Sequence, residues 1–348
     1  MTTLAVNCGL EYLFSRLHGL WEQSFQGARL ERLLASGSVE NLLSQLRKEG
    51  LQLNAGEDFS LALRRHRHAL CEEIQRQVSP ELRLYLTAVL DEDTTASLKL
   101  LLRRKFCSSQ PQDFPPLKLG ETILSAADSL ALLEQTDAKE FVARLPQVFP
   151  PDQLQTIVEA LADSHDLLAA DSALDILASQ RRLQAARALP LSCRRAALEL
   201  VQFEIDLTNS VTALRNAAFH HLPASAMASC WLPGGARLSS EKLAVLCAFS
   251  DKRTCLAAFP ASFRDLLLPF QDGELYLCEG ALWDELQRKA LLLFRDFGAP
   301  ELSIVSFPYL LRFETTNLIR LHEGLRLGLS VAEIRKMLIG GLLSPSAK

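Results

Sequence analysis

The sequence lacks the patterns that usually identify a disulfide-stabilised protein or a nucleotide-binding enzyme. Its eight cysteines form no C-x-x-C pair, and the closest two are eight residues apart, so we expect reduced thiols rather than a disulfide frame or a zinc site. Neither G-x-x-x-x-G-K-[ST] nor G-x-G-x-x-G occurs, which argues against a phosphate-binding loop. We therefore expect no bound cofactor or metal.

Two further absences limit the partners that the chain can have. No stretch approaches the ~20 apolar residues that a membrane-spanning helix needs, and the apolar run 290–294 is flanked by Lys289 and Arg295. The net charge is −4, so there is no basic excess to attract nucleic acid. We expect neither a direct membrane span nor a nucleic-acid partner.

Leucine with helical periodicity is what the sequence does contain. Of the 348 residues 48% are hydrophobic and only 7% are aromatic, and a leucine-rich set with few β-branched residues favours helices. The predicted fold class is therefore all-α. Apolar residues recur at three- and four-residue steps through 29–47, 81–106, 122–146, 153–188, 194–219, 240–258, 282–297 and 307–338.

Two stretches rich in proline or glycine interrupt this helical pattern. They span 109–116 and 221–235, and both residue types end helices. They divide the chain into three parts of similar length. We predict three helical domains at 1–117, 118–230 and 231–348.

The three parts share two repeated patterns. The first, which we name the opening hairpin, has two apolar patches around a short polar stretch and lies at 33–46, 132–145 and 245–259. The second, which we name the closing helix, lies at 84–106, 198–219 and 309–327. Three long repeats differ from the many short repeats of a solenoid.

Each closing helix carries an acid on an apolar stripe. The acids are Asp93, Asp206 and Glu314, which are 113 and 108 residues apart. Three residues further on come Ala96, Asn209 and Asn317, and an arginine follows at Arg103, Arg215 and Arg320.

A carboxylate on a buried stripe must be paired or protonated, because an isolated buried charge is costly. The asparagine one turn away and the following arginine are its obvious local partners. We predict a structural polar network in each part, which holds each helical domain in register. The alternative is one catalytic acid or base, but recurrence in all three parts favours structure.

Two other charged clusters have a functional alternative. The triplet Asp91-Glu92-Asp93 is similar to the acid-rich metal sites of helical diphosphate enzymes, although no second facing carboxylate cluster is evident. The basic run 64–68 is interpreted as a solvated helix face, with a contact for acidic partner proteins or lipid headgroups as the alternative.

At the closing helices the chain resembles the C-type central-stalk proteins of archaeal and bacterial V/A-type ATPases, whose eukaryotic counterpart is the V-ATPase d protein. The stretches 206–209 and 314–317 look like that family's acid-x-x-Asn helices. The segments 232–239 and 319–335 are similar to the start and end of its last third. Ala96 departs from the pattern, because it stands where the family pattern has asparagine.

The resemblance implies a fold and a role. It implies three similar helical domains around a pseudo-three-fold axis, forming a funnel or socket. It also implies a non-catalytic central-stalk subunit that transmits torque from the rotor stalk, built from the D and F subunits, to the membrane proteolipid c-ring. Such a protein would lie peripherally on the cytoplasmic side of a membrane, held by the ATPase membrane sector. The alternatives are a generic helical-repeat scaffold or adaptor and a helical enzyme with a single cleft.

Overall fold

The computed structural model describes residues 2–54, 57–107, 117–119, 122–124, 126–135, 137–145 and 149–340. The regular structure of this part of the chain is helical apart from one short antiparallel β-hairpin. The all-α prediction is therefore confirmed. The helices and strands are α1 Thr2–Glu22, α2 Ala28–Leu34, α3 Val39–Lys48, α4 Phe59–Gln75, α5 Pro80–Cys107, β1 Leu117–Leu119, β2 Thr122–Leu124, α6 Ala126–Leu133, α7 Ala138–Arg144, α8 Pro151–Ser164, α9 Leu167–Ala188, α10 Leu191–Arg215, α11 Ala224–Met227, α12 Ser240–Leu246, α13 Lys252–Ala258, α14 Ala261–Leu267, α15 Leu275–Phe294, α16 Pro300–Arg326 and α17 Val331–Met337.

The predicted opening hairpins are confirmed as helix pairs with a common cap. They are α2–α3, α6–α7 and α12–α13, and the polar stretch of each supplies the side chain that caps its second helix. Ser38, Asp137 and Asp251 each accept a hydrogen bond from the backbone N–H three residues later, at 3.2, 3.0 and 2.9 Å. Such caps satisfy a donor at the helix start that would otherwise have no partner.

The closing helices are α5, α10 and α16, and each has a proline at its N-cap or first position. Pro80 and Pro300 are the first residues of their helices, and Pro190 is the N-cap of α10. These prolines are spaced 110 residues apart. Proline suits a helix start because its φ angle is already helical and the missing N–H would have no partner there.

Parts of the helical prediction are wrong or untested. The stretch 122–146 begins with strand β2 rather than with helix. The break at 221–235 contains the short helix α11 and a 3₁₀ turn at Ala228–Cys230. The break at 109–116 lies outside the described residues.

Each opening hairpin packs on the closing helix of the preceding part. Helix α5 contacts α6, and its Leu101 shares a core with Phe141 of α7. Helix α10 contacts α12 and α13. Helix α16 contacts α3, and its Leu321 shares a core with Leu42. The packing order of the three parts is therefore cyclic.

The largest core crosses all three predicted domains. It contains Leu86 of α5, Leu200 of α10 and Phe307 of α16, together with side chains from α1, α4 and α15. The division into 1–117, 118–230 and 231–348 stays a prediction. Nowhere in the described ranges is there a helix with both the length and the apolar character needed to cross a membrane.

Candidate functional site

The acid of the first closing helix is held by the basic run 64–68. Asp93 is 7% exposed and accepts bonds from Arg67 at 2.5 Å and His68 at 2.9 Å, with Arg64 3.8 Å away. Burial alone would raise the pKa of Asp93, but the charge of Arg67, the hydrogen bond from His68 and the charge of Arg64 hold it well below its usual range. The prediction of a solvated face is wrong for Arg67 and His68, which are each 4% exposed.

The acid of the second closing helix is bound by a loop. Asp206 is fully buried and accepts three backbone N–H groups, from Ala236, Arg237 and Leu238, at 2.9 to 3.1 Å. Burial raises the pKa of Asp206, and the three donors offset part of that rise. A carboxylate with this many backbone donors fixes a loop mainly through hydrogen bonds.

The loop also requires glycine beside this carboxylate. A Cβ atom on Gly235 would lie 2.1 Å from Oδ1 of Asp206, and one on Gly234 would lie 2.4 Å from Leu183. Gly234 also has a φ of +99°, which side-chain-bearing residues rarely adopt. The Gly-Gly pair therefore allows the loop to approach α10 closely.

The two predicted asparagines act alike on backbone segments. Asn209 donates to the carbonyl of Leu232 and accepts from its N–H, both at 2.9 Å. Asn317 makes the same pair of bonds with Ile339, at 2.9 and 2.7 Å. Each amide thus imitates a backbone partner for a segment 22 or 23 residues later in the chain.

The acid of the third closing helix lies in a different setting. Glu314 accepts the backbone N–H of Phe25 at 2.5 Å. Burial raises its pKa to about 7, while the Phe25 N–H and the nearby Arg29 act in the opposite direction. Glu314 lines an open cavity. Its side chain is therefore partly exposed to water, although protein atoms surround most of it.

The three predicted arginines bind groups other than these acids. Arg103 pairs with Asp171 of α9, and Arg215 makes two bonds to Glu279 of α15 at 2.8 and 2.9 Å. Arg320 donates to the carbonyl of Met337 at 2.5 Å. The structure therefore does not bring acid, asparagine and arginine of one closing helix together as a local triad; each holds a different neighbouring segment.

A buried ion cluster that the sequence did not reveal joins the three closing helices. Glu204 of α10 accepts from Arg182 of α9 at 2.7 Å and from Arg312 of α16 at 2.6 Å. Arg312 also reaches Glu92 of α5 at 2.7 Å. Burial would raise the pKa of Glu204, but the two arginines hold it well below its usual range.

The cluster extends to a second acid of α5. Asp91 is 2% exposed and lies 3.2 Å from Arg181 of α9. Burial raises the pKa of Asp91 to about 6, against the pull of Arg181 and Arg182. Within the cluster, Asp91, Glu204 and Arg312 each stand two residues before the acid of their closing helix, so equivalent positions of the repeats meet here.

Two contacts, at different positions along the helices, show that α16 runs parallel to α5. The Tyr85 hydroxyl donates to the Val305 carbonyl at 3.4 Å, and seven residues further along both helices Glu92 meets Arg312.

Helix α10 keeps a similar register with α16. The Ser192 hydroxyl donates to Glu301 at 3.1 Å. Twelve residues on in α10 and eleven on in α16, Glu204 meets Arg312. The three helices thus converge on one shared ionic centre.

The site is not arranged to hold a metal ion. The carboxylates of Asp91, Glu92 and Asp93 face different cations, on α9, α16 and α4. No group of three or more His, Cys, Asp or Glu side chains in the described ranges is placed to hold a metal. What this arrangement does chemically is to neutralise buried charges between helices.

The model of a known protein family matches this chain. The model of the family described as "ATP synthase (C/AC39) subunit" aligns with residues 13–337, which span every closing helix and every opening hairpin. Among curated proteins, none matches the chain. The match covers nearly the whole length and agrees with the resemblance of the closing helices to the C-type proteins of V/A-type ATPases. The chain therefore belongs to the ATP synthase (C/AC39) subunit family, the C/d subunits of V/A-type ATPases.

Proposed function

We propose that this chain is the non-catalytic subunit that couples the rotating stalk of a V/A-type ATPase to its membrane ring. It binds the D and F subunits of the stalk on one side and the proteolipid c-ring on the other, and it transmits torque between them. It lies peripherally on the cytoplasmic side of the membrane, held by the membrane sector. Membership of the C/AC39 family supports this proposal.

The buried ion cluster is the observation that carries the mechanical part of the proposal. Glu204, Arg182 and Arg312 are each at most 9% exposed and join α9, α10 and α16. Charged groups this deep in a protein need fixed geometry, since displacement leaves a buried charge unpaired. A body whose long helices are joined in this way resists shear, which a torque coupler requires.

The cyclic packing of opening hairpins supports the pseudo-three-fold funnel or socket. Each opening hairpin packs on the closing helix of the preceding part, and the hairpin of the first part packs on the closing helix of the last part. Such an exchange closes on itself only when the parts form a ring. The predicted polar network residues have a structural role in this ring, because each fixes a neighbouring segment.

A coupler needs separate contacts at its two ends, and exposed apolar side chains lie at both. Leu191 and Phe297 are 82% and 75% exposed, and in sequence they precede Ser192 and Glu301, which meet where two closing helices begin. Leu168, 50% exposed, is at the opposite end, since α9 and α10 are antiparallel. Exposed apolar groups of this kind often mark contact surfaces.

The test is affinity purification of the tagged protein from gently solubilised native membranes, followed by mass spectrometry. We expect the D and F stalk proteins and a small proteolipid to accompany the wild-type protein. Two matched variants carry a charge at one end each, L191D with F297D, and L168D. Each should lose one class of partner and keep the other, with an unchanged circular dichroism spectrum.

Recovery of unrelated soluble proteins without any ATPase component would overturn the proposal and favour a generic scaffold. Retention of both partner classes by both variants would leave the coupling role in place but exclude these two ends as its contacts.

A further inference from the structure

An open cavity of about 420 Å³ lies beside the acid of the third closing helix. It is lined by the end of α1 and the residues that follow it, by α2, by the residues after α3, by α4 and by α16. Leu311 and Glu314 are the lining residues from α16. Its volume lies within the range of roughly 300 to 1,000 Å³ that is typical of small-molecule sites.

The carboxyl of Glu314 has no cationic partner within the described residues. Its one hydrogen bond comes from the backbone N–H of Phe25. Arg29 lines the same cavity, but it is held at the rim by the carbonyl of Gln23 at 2.6 Å and by Glu49 at 3.4 Å. A partly desolvated carboxylate whose neighbouring arginine is bonded to other groups favours a cationic ligand.

The cavity lining is otherwise suited to an aliphatic chain. Leu20, Leu70 and Leu311 line the same cavity as Glu314. His66 supplies a polar edge, and burial, followed by the charge of Arg65, lowers its pKa. The ring is thus neutral near pH 8 and does not repel a cation there.

We propose that this cavity binds a primary alkylammonium group, with the ammonium on Glu314 and the methylene stem against Leu20, Leu70 and Leu311. An ammonium donates to the carboxylate and supplies the direct ion pair that Arg29 does not make. The leucines remove the stem from water. The ligand is either a free alkylamine or a lysine side chain of another protein, since both present the same group on the same stem. The inference does not depend on the proposed coupling function.

The experiment is isothermal titration calorimetry of the purified full-length chain at pH 8. The probes are n-pentylamine, Nα-acetyl-lysine methylamide and, as an uncharged control with the same stem, n-pentanol. We expect saturable binding of n-pentylamine that is at least tenfold tighter than that of n-pentanol. Comparable binding of the lysine derivative assigns the cavity to a lysine side chain of another protein, and binding of n-pentylamine alone assigns it to a free amine.

Two variants and a pH series test the role of the carboxyl. E314Q keeps the acceptor for Phe25 but removes the charge, so affinity for n-pentylamine should fall at least tenfold, whereas E241Q, at an exposed site, should change nothing. Affinity of the wild type should also fall as Glu314 becomes protonated below pH 7.

His66 gains charge over part of the same pH range, and the other charged side chains that line the cavity are Arg29 and Glu49, which pair with each other. E314Q separates the two effects, because it should abolish the contribution of the carboxyl and leave that of His66. Equal binding of n-pentylamine by wild type and E314Q, or equal binding of n-pentylamine and n-pentanol, would overturn the proposal.

Discussion

Arg312 connects all three closing helices through its own side chain. It bonds to Glu204 and Glu92 and lies within 5.0 to 5.4 Å of the rings of Trp283, Tyr309 and Phe313. The aromatic faces stabilise the guanidinium where water is excluded. Its removal therefore leaves acids of two other helices short of a partner.

We expect R312M to lower the free energy of unfolding by about 3 to 5 kcal/mol, the usual cost of removing one partner from a buried ion pair. The measurement is equilibrium denaturation in urea. The matched control is R215M, whose arginine is 53% exposed in its pair with Glu279 and should contribute under about 1 kcal/mol. Equal effects of the two variants would show that the buried cluster contributes no more to stability than the exposed ion pair does.

Glu314 makes stability depend on pH in an unusual direction. Its pKa rises from an ordinary glutamate value to about 7 in the folded protein, so the folded state binds this proton more tightly than the unfolded chain. The contribution of Glu314 to stability is therefore most favourable below the unfolded pKa and declines as pH rises towards 7.

The variant E314Q imitates the protonated acid, so it should be more stable than wild type at pH 8 and nearly equal to it at pH 5. Allowing for the partial exposure of the carboxyl, the gain at pH 8 should be on the order of 1 to 3 kcal/mol. Thermal unfolding of both proteins across this range measures the difference. A constant difference between pH 5 and pH 8 would contradict the assignment.

The acids, asparagines and arginines of the closing helices could be found from sequence because they repeat at near-equal spacing. Their partners could not, because those lie on other elements. Arg312 and Glu92 are 220 residues apart, and Arg67 and Asp93 belong to different helices. The sequence did contain a signal for the ion cluster, since a charged residue stands two positions before each acid. The charge of Arg312 is opposite to that of Asp91 and Glu204, and this difference hides the repeat.

At the level of elements, the loop after α11 depends on a close approach to α10. The carboxylate of Asp206 occupies the space that a side chain on Gly235 would need. We expect G235A to lower the free energy of unfolding by about 2 to 4 kcal/mol, because the carboxylate must move and buried N–H groups lose their acceptor.

The control for G235A is G19A. Gly19 is exposed in α1 and nothing lies within 4 Å of its added Cβ, so alanine there should stabilise by about 0.5 to 1 kcal/mol through helix propensity. Chemical denaturation compares the two variants. If G235A were neutral, the three hydrogen bonds to Asp206 would not be maintaining this loop.

The element boundaries were predictable where a local signal sets them. The caps at Ser38, Asp137 and Asp251 follow from the polar stretch inside each opening hairpin. What periodicity could not give is the packing partner of each hairpin. An apolar helix face does not specify which apolar face it meets, so the exchange of hairpins between neighbouring parts was visible only in the structure.

At the scale of the whole molecule, this exchange predicts cooperative unfolding. The core around α5 and α7 and the core around α16 and α3 each join two predicted domains, and the largest core joins all three. Loss of any one part therefore removes apolar contacts from its neighbours. Independent domains, by contrast, would each keep a core of their own.

We expect differential scanning calorimetry to show one transition, with equal calorimetric and van't Hoff enthalpies. L101A in the α5 core and L321A in the α16 core should each lower the free energy of unfolding by about 2 to 5 kcal/mol, because both leave a cavity. Each should shift the whole transition rather than a part of it. L292A is the control, since Leu292 is 58% exposed and should move the midpoint little. Separate transitions, with each variant shifting only one of them, would mean that the parts unfold independently despite the shared cores. In that case the stiffness of the coupler would have to come from its partners rather than from its own packing.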